Sequence, residues 1–223
     1  MKNQNIVVLS ASLNQFKMDE LGDLCINNLE DTNKEIFSVP NISECFILEK
    51  CNCVEIYFIT DKNEVKELIE KVKHVWIKSC KSSKSINNKL NRVEVIVGEK
   101  ALRHILETSV GLKSVTLGDA QVYGQVKKAI RISKISKTFS DFLSNLETQI
   151  KKLSKEVDKN TNFRRGNTSV PRATIELINQ YELFKSKILI VGLGKMGATI
   201  AQILSKKGIE FSITNRNIDK SIS

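Results

Sequence analysis

No apolar run in the 223 residues approaches the ~18 residues that a membrane span needs. The opening stretch, MKNQNIVVLSAS, has an apolar segment too short, and flanks too polar, for a secretory signal. A cytoplasmic protein with no membrane partner is expected. Histidine is scarce, with only His74 and His104. The five cysteines, Cys25, Cys45, Cys51, Cys53 and Cys80, are odd in number and irregular in spacing. That argues against a disulfide framework and leaves thiol chemistry open. A metal site built on Cys45, Cys51 and Cys53 lacks a second paired cluster and a histidine close in sequence, so no metal is expected. There is no internal repeat. Acidic residues are outnumbered, 25 against 35 basic, giving a formal net charge of +10. An acidic partner such as RNA fits that balance. So does a plain bias toward Lys, Asn and Ile along the whole chain, and charge alone leaves both readings open.

What is present begins with a small α+β pattern. NIVVLSASL reads as a strand. MDELGDLCINNLE has a helical rhythm through Leu21, Leu24, Cys25 and Leu29. CFILEK and CVEIYFIT read as two strands joined tightly at Lys50 to Asn52. Asp61 and Glu64 have the spacing of a capping box. The helix after them carries Val65, Leu68, Ile69, Val72 and Trp76 on one face. CKSSKSINNKLN reads as a polar loop, and VEVIVG as a further short strand. The chain then turns helical through EKALRHILETSV, AQVYGQVKKAIRISK and FSDFLSNLETQIKKLSKEV. The last puts Phe139, Phe142, Leu146, Ile150, Leu153 and Val157 on a stripe that is expected to be core. DKNTNFRRGN is expected to break that helix. The resulting division is 1–157 (an α+β unit 1–98, a helical part 99–157) and 158–223. The fold class is α/β: an α+β domain with a helical part, then the start of a Rossmann domain.

The second part opens with KILIVGLGKMGATIAQILSKKGIEFSITNRN. Ile188 to Val191 has a buried-strand pattern. Gly192, Gly194 and Gly197 then form G-x-G-x-x-G, with Lys195 and Met196 between them. Ile200, Ile203 and Leu204 continue a helix that stops at Gly208, and IEFSIT is a second strand. Strand, glycines, helix and strand in this order signal a dinucleotide site. The first glycine makes the turn and the second lets backbone approach a pyrophosphate at the helix N-terminus. The third lets the helix pack on the strand. NAD sites place an acid at the tip of the second strand. Here the tip is Thr214, Asn215 and Arg216, and an arginine suits a 2′-phosphate, so NADPH is favoured over NADH. The sequence ends at Ser223, just after this strand. Two parallel strands do not bury both faces of a sheet, so more strands, from further chain or a partner, are expected to complete it.

Three stretches together resemble the glutamyl-tRNA reductase family. KCNCVEIY (Lys50 to Tyr57) matches the family's T-C-N-R-x-E-I-Y segment. RHILETSVGLKSVTLGDAQVYGQVK (Arg103 to Lys127) follows its R-H-L-F-x-x-A-S-G-L-x-S-x-x-x-G-E-x-Q-I-x-x-Q-V-K segment. GLGKMG and TNR match its nucleotide motif, and GNTSVPRAT (Gly166 to Thr174) resembles the entry to its cofactor domain.

The resemblance implies a nucleophilic thiol at Cys51 and a proton or orientation partner at His104. It implies substrate contacts from Asn52, Ser114, Asp119, Gln121 and Gln125. The implied reaction reduces glutamyl-tRNA to glutamate-1-semialdehyde through a Cys51 thioester, with NADPH as hydride donor, for tetrapyrrole biosynthesis. The implied partners are tRNA(Glu) charged with glutamate, a second copy in a homodimer, and a downstream aminomutase.

There are departures. Lys50 stands for the threonine before the cysteine, and Cys53 for the arginine that helps hold the glutamyl group. Asp119 stands for a glutamate. The family's N-terminal pocket segment is represented only by LSASLNQFKMD (Leu9 to Asp19), and its C-terminal dimerisation domain is absent from this sequence. Cys51 as an inert structural thiol stays open. So does a second function class, a non-catalytic relative that binds tRNA, a nucleotide or a reductase subunit.

Overall fold

The computed structural model describes residues 4–80, 89–114, 117–119, 121–163 and 170–216. Most of the stretch expected to be a polar loop, and GNTSVPRAT up to residue 169, lie outside them. Among the described residues no helix is long and apolar enough to cross a membrane.

The chain opens with β1 (Asn5–Ser12), α1 (Met18–Asp23), α2 (Leu29–Phe37), β2 (Ile42–Lys50), β3 (Cys53–Thr60), α3 (Lys66–Ser79) and β4 (Glu94–Val97). The strands form one sheet in the order β2-β3-β1-β4 with every neighbour antiparallel. This βαββαβ order is the ferredoxin-like arrangement.

Alternation along the strands gives each face its own core. Val7, Leu9, Ala11, Val54, Ile56 and Phe58 pack with α1, α2 and α3, where Trp76 is fully enclosed and donates from Nε1 to the Leu24 carbonyl at 2.9 Å. Ile6, Val8, Phe46, Leu48, Tyr57 and Ile59 face the opposite way. That side is covered by α4 (Glu99–Ser109), α5 (Gln121–Ile135) and α6 (Asp141–Asn160). The α6 N-terminus is fixed from the sheet. The Glu44 carboxylate on β2 accepts from the backbone N–H of Ser140, Phe142 and Leu143, each at 2.9 Å. These are the orphan donors of a helix start, met by a residue nearly a hundred positions earlier.

Four local expectations are corrected. The rhythm through Leu29 is two helices. Asn28 accepts from the N–H of Glu30 and Asp31 to start α2, and Ile26 between the helices pairs as an isolated bridge with Cys80. Asp61 and Glu64 do not cap α3, whose N-cap position is Val65 with no side-chain hydrogen bond. Asp158 to Asn160 do not break α6 but form its last turn. The buried stripe of that helix is Leu143, Leu146, Ile150 and Ser154, turned slightly from the one expected.

The remaining elements are α7 (Val170–Gln180), a short 3-10 turn (Leu183–Lys185), β5 (Ile188–Val191), α8 (Lys195–Lys206) and β6 (Phe211–Thr214). β5 and β6 pair in parallel, Ile188 opposite Phe211 and Val191 opposite Thr214. The strand expected to be buried is not. Ile190 packs against Ile175, Ala201 and Leu204, but Leu189 is 60% and Val191 79% exposed, because α7 and α8 supply only one covering layer. The mixed α/β class with a Rossmann-like start stands.

Candidate active site

β2 and β3 end at Lys50 and Cys53, which pair directly across the hairpin, so the turn is only Cys51 and Asn52. The tip is held to β1 by the Leu13 N–H, which donates to the Asn52 carbonyl at 3.1 Å. Beside the turn lies a cleft of about 390 Å³ whose lining includes Lys50, Cys53, Glu55, His104, Lys113 and Ser114. Asn52 lines it as well. Cys51 is not part of the lining. It is exposed on the turn between two residues that are, and it is the only exposed cysteine of the five.

The cleft floor is a buried polar chain. Glu55, inside a strand that is buried throughout, is 3% exposed and accepts three hydrogen bonds. Tyr57 donates its hydroxyl at 2.6 Å, His104 donates from Nε2 at 2.8 Å, and the Ser10 hydroxyl donates at 3.2 Å. Burial alone would raise the Glu55 carboxyl. The hydrogen bond from His104, then the Lys50 charge and the Tyr57 hydroxyl, outweigh it and hold the group below the ordinary carboxylate value. Tyr57 is raised well above its usual value by burial and by the carboxylate beside it. Its ring stacks on Phe46 with centroids 4.3 Å apart.

The other nitrogen of His104, Nδ1, lies 3.1 Å from the Lys113 ammonium. An ammonium can only donate. Nδ1 is therefore the acceptor, and the ring proton sits on Nε2, facing Glu55. Both ring nitrogens are thus engaged, neither by Cys51. His104 is 7% exposed rather than on a helix surface.

Burial pushes the Cys53 thiol far above its usual range. The neighbouring Glu55 charge adds to that, and the Lys50 ammonium pulls against both. Cys45 is likewise pushed up to about 12, chiefly by burial. These two are inert fillers at neutral pH.

The structure brings Asn52, His104 and Ser114 together at the cleft. The Ser114 hydroxyl is enclosed, with no hydrogen-bond partner among the described residues. Asp119, Gln121 and Gln125 sit at the start of α5 instead. Asp119 accepts from the Gln121 N–H at 2.8 Å. The Gln125 Oε1 is enclosed and unpartnered among the described residues. The segment between His104 and α5 is folded back by Gly111 and Gly118, with the Gly118 N–H donating to the Gly111 carbonyl at 3.0 Å. A side chain on Gly111 would meet the Asp119 nitrogen at 2.9 Å, and its φ is +88°, so only glycine fits.

Sequence reading missed Glu55, Ser10 and Lys113. The available signal for the first was a carboxylate inside an apolar strand, which is affordable only with partners.

In the second part, Gly192 has φ +95°, and its N–H donates to the Thr214 carbonyl at 2.7 Å. A Cβ on Gly197 would lie 2.0 Å from the Gly192 carbonyl oxygen. Gly194 is the N-cap of α8, and Lys195 and Met196 open that helix. The Leu193 N–H donates to the Asn215 side chain at 3.4 Å, and Arg216 is exposed beyond β6. The arrangement is a tight glycine turn feeding free helix N–H groups, which suits a pyrophosphate.

The N-terminal domain model of glutamyl-tRNAGlu reductase matches residues 9–161, more than half of the chain. The chain belongs to the glutamyl-tRNA reductase family.

The shikimate / quinate 5-dehydrogenase model matches residues 175–223, in keeping with a dinucleotide-binding fold there. The glutamyl-tRNA reductase of Aquifex aeolicus (strain VF5) is 28% identical over 201 residues, covering 87% of this chain and 48% of that protein. That of Prochlorococcus marinus (strain MIT 9515) is 30% identical over 215 residues, covering 87% and 47%. The structure of the glutamyl-tRNA reductase from Methanopyrus kandleri superposes with a TM-score of 0.67 at 22% identity, over all of this chain and 51% of that one. The chain spans about half the length of the curated relatives it matches.

Proposed function

We propose that this chain carries the acyl-accepting half of a glutamyl-tRNA reductase, together with the start of its cofactor domain. The substrate is glutamate esterified to tRNA(Glu). The deprotonated Cys51 sulfur attacks the ester carbonyl carbon. A C–S bond forms, the C–O bond to the tRNA ribose breaks, and the ribose oxygen takes a proton. The product is a glutamyl thioester on Cys51. A thiolate is a strong nucleophile near neutral pH, and a thioester accepts hydride more readily than the parent ester. NADPH, when bound, supplies the hydride that converts the thioester to glutamate-1-semialdehyde and frees the thiolate.

Gly192, Gly194, Lys195, Met196 and Gly197 would hold its pyrophosphate, with Thr214, Asn215 and Arg216 at the ribose end. Arg216, with no acid at the strand tip, supports NADPH over NADH. Asn52 and Ser114 fit substrate contact at the cleft, and Asp119, Gln121 and Gln125 extend the candidate surface onto α5. His104, held on both sides, positions the cleft rather than acting as a free base. To the same proposal belong the division at 1–157 and 158–223, a homodimer with a second copy, the downstream aminomutase as a partner, and a cytoplasmic setting that suits unpaired thiols.

The observation that carries this reading is the single exposed thiol on a two-residue turn whose neighbours line a polar cleft. The test is an intact-mass trap. The chain is mixed with glutamyl-tRNA, NADPH is omitted, and the reaction is quenched in acid. A glutamyl adduct that disappears in Cys51→Ser is expected. A folded chain that forms none would overturn the acyl-transfer step and favour a relative that binds tRNA, nucleotide or a subunit without chemistry, as Cys53 in place of the family arginine would suit.

A further inference from the structure

One wall of the cleft comes from the end of β1 and the turn after it, with Ser10, Ser12, Leu13 and Asn14 in the lining. β1 ends at Ser12, opposite Cys53. The chain then turns, and the N–H groups of Gln15 and Phe16 each donate to the Ser12 carbonyl at 3.0 Å. The Gln15 side chain closes the turn from within, accepting from the Ser12 N–H at 3.0 Å and from its hydroxyl at 2.7 Å. This turn aims the Leu13 N–H at the Asn52 carbonyl, the bond that ties the tip beside Cys51 to the wall. A side chain 77 positions further along holds the same turn from outside. The Arg92 guanidinium donates to the Gln15 carbonyl and to both oxygens of Glu20, at 2.8 and 3.3 Å. It also lies 4.5 Å from the centroid of the buried Phe16 ring.

We infer that Arg92 is a positioning residue for the Cys51 turn, acting through Gln15, Phe16 and Leu13. A lone exposed ion pair holds little. Arg92 holds more because a carboxylate, a carbonyl and a ring converge on one planar guanidinium, whose fork fixes where each must sit. Glu20 is itself fixed, since its carboxylate also accepts from the Lys17 N–H at 2.9 Å where α1 begins. At the other end of α1, Asp23 meets the ammonium of Lys89 at 2.5 Å. Lys89 and Arg92 belong to one turn, closed by the Arg92 N–H on the Lys89 carbonyl at 2.9 Å. The segment before β4 therefore straps α1 at both ends. Gln15 adds a contact to the first residue of β4, its Nε2 lying 3.5 Å from the Glu94 carboxylate, which lines the cleft. Arg92 is not in the lining, so its effect on the turn is indirect. The inference rests on the proposed function for the reaction that the turn serves, but its first readout needs no reaction.

The first measurement is amide hydrogen exchange of the whole chain, followed residue by residue by NMR. Arg92→Met keeps an unbranched side chain over Phe16 and removes the fork. It is expected to speed exchange of the Leu13 N–H about five- to ten-fold, the scale of a charge-assisted hydrogen bond weakened by partial exposure. The amides of Phe58 and Ile59, toward the far end of β3, are expected to exchange as before. The second measurement is the single-turnover rate of Cys51 adduct formation from glutamyl-tRNA without NADPH. In Arg92→Met the rate at saturating substrate is expected to fall by a similar factor, with the half-saturating concentration unchanged. A merely structural role would instead speed Leu13, Phe58 and Ile59 together and leave the saturated rate of the folded chain where it was. That pattern overturns the inference, as does unchanged Leu13 exchange, or a saturated rate that holds although Leu13 opens. Selective opening of Leu13 in a chain that forms no Cys51 adduct would uphold the positioning of the turn while removing the proposed reaction.

Discussion

β3 reads CVEIYFIT, with a charged residue and two further polar side chains, yet all eight of its residues are buried. β5 reads ILIV, wholly apolar, yet two of its four residues lie open to solvent. The difference is in the layers around them. β3 is central in a sheet with helices on both faces, whereas among the described residues β5 has one strand neighbour and helices on one face. Burial in this molecule belongs to the stack and not to the strand. A carboxylate survives inside the first sheet because three donors meet it there. Leu189 and Val191 stay exposed in the second because nothing among the described residues lies over them.

Three changes would test how far the two regions differ. Trp76→Ala, on α3 in the core that covers one face of the first sheet, should cost about 3–5 kcal/mol, the usual range for emptying such a site. Urea unfolding followed by a probe in each region should show the loss in the first, and a loss confined to the second would contradict the comparison. The next effect is pH-dependent. The folded Glu55 carboxyl titrates below its unfolded value, so its contribution is present above the ordinary carboxylate range, near ~4.3. It is lost as pH falls through the lowered folded value. Glu55→Gln should therefore start less stable at neutral pH and lose less than the unaltered chain on acidification. Equal acid slopes in the two proteins would show that Glu55 is not the group responsible. Smallest of all, Val191→Thr should change stability by no more than about 0.5 kcal/mol, as for other exposed positions. A loss of about 2 kcal/mol or more would mean that a second layer, from another copy or further chain, covers that face in solution.

Much of the skeleton was legible. The four strands of the first sheet, the α3 face ending in Trp76 and the glycine turn followed by α8 all follow from periodicity and local chemistry. The break between α1 and α2 was not. Its cause is a side-chain cap at Asn28 together with a bridge from Ile26 to Cys80, a residue more than fifty positions away. The cleft was half legible for the same reason. Cys51 and His104 could be named one by one. The joining of Glu55 to Ser10 depends on the β1–β3 register, and that of Lys113 to His104 on a turn closed by two glycines. The pairing of Lys50 with Cys53 is a register fact too, invisible while they are read as separate substitutions.

The Glu44 carboxylate that receives the start of α6 has a mechanical consequence. That helix has 20 residues, so it is about 30 Å long, and it is clamped to the sheet at one end. A tilt of about 5° at the clamp displaces the far end by roughly 2.6 Å over that length. The buried stripe from Leu143 to Ser154 holds most of that length against its neighbours, so such a tilt is resisted along the helix as well as at β2, the strand that also leads to the Cys51 turn. One strand therefore both carries the Cys51 turn and receives the start of the helix that follows.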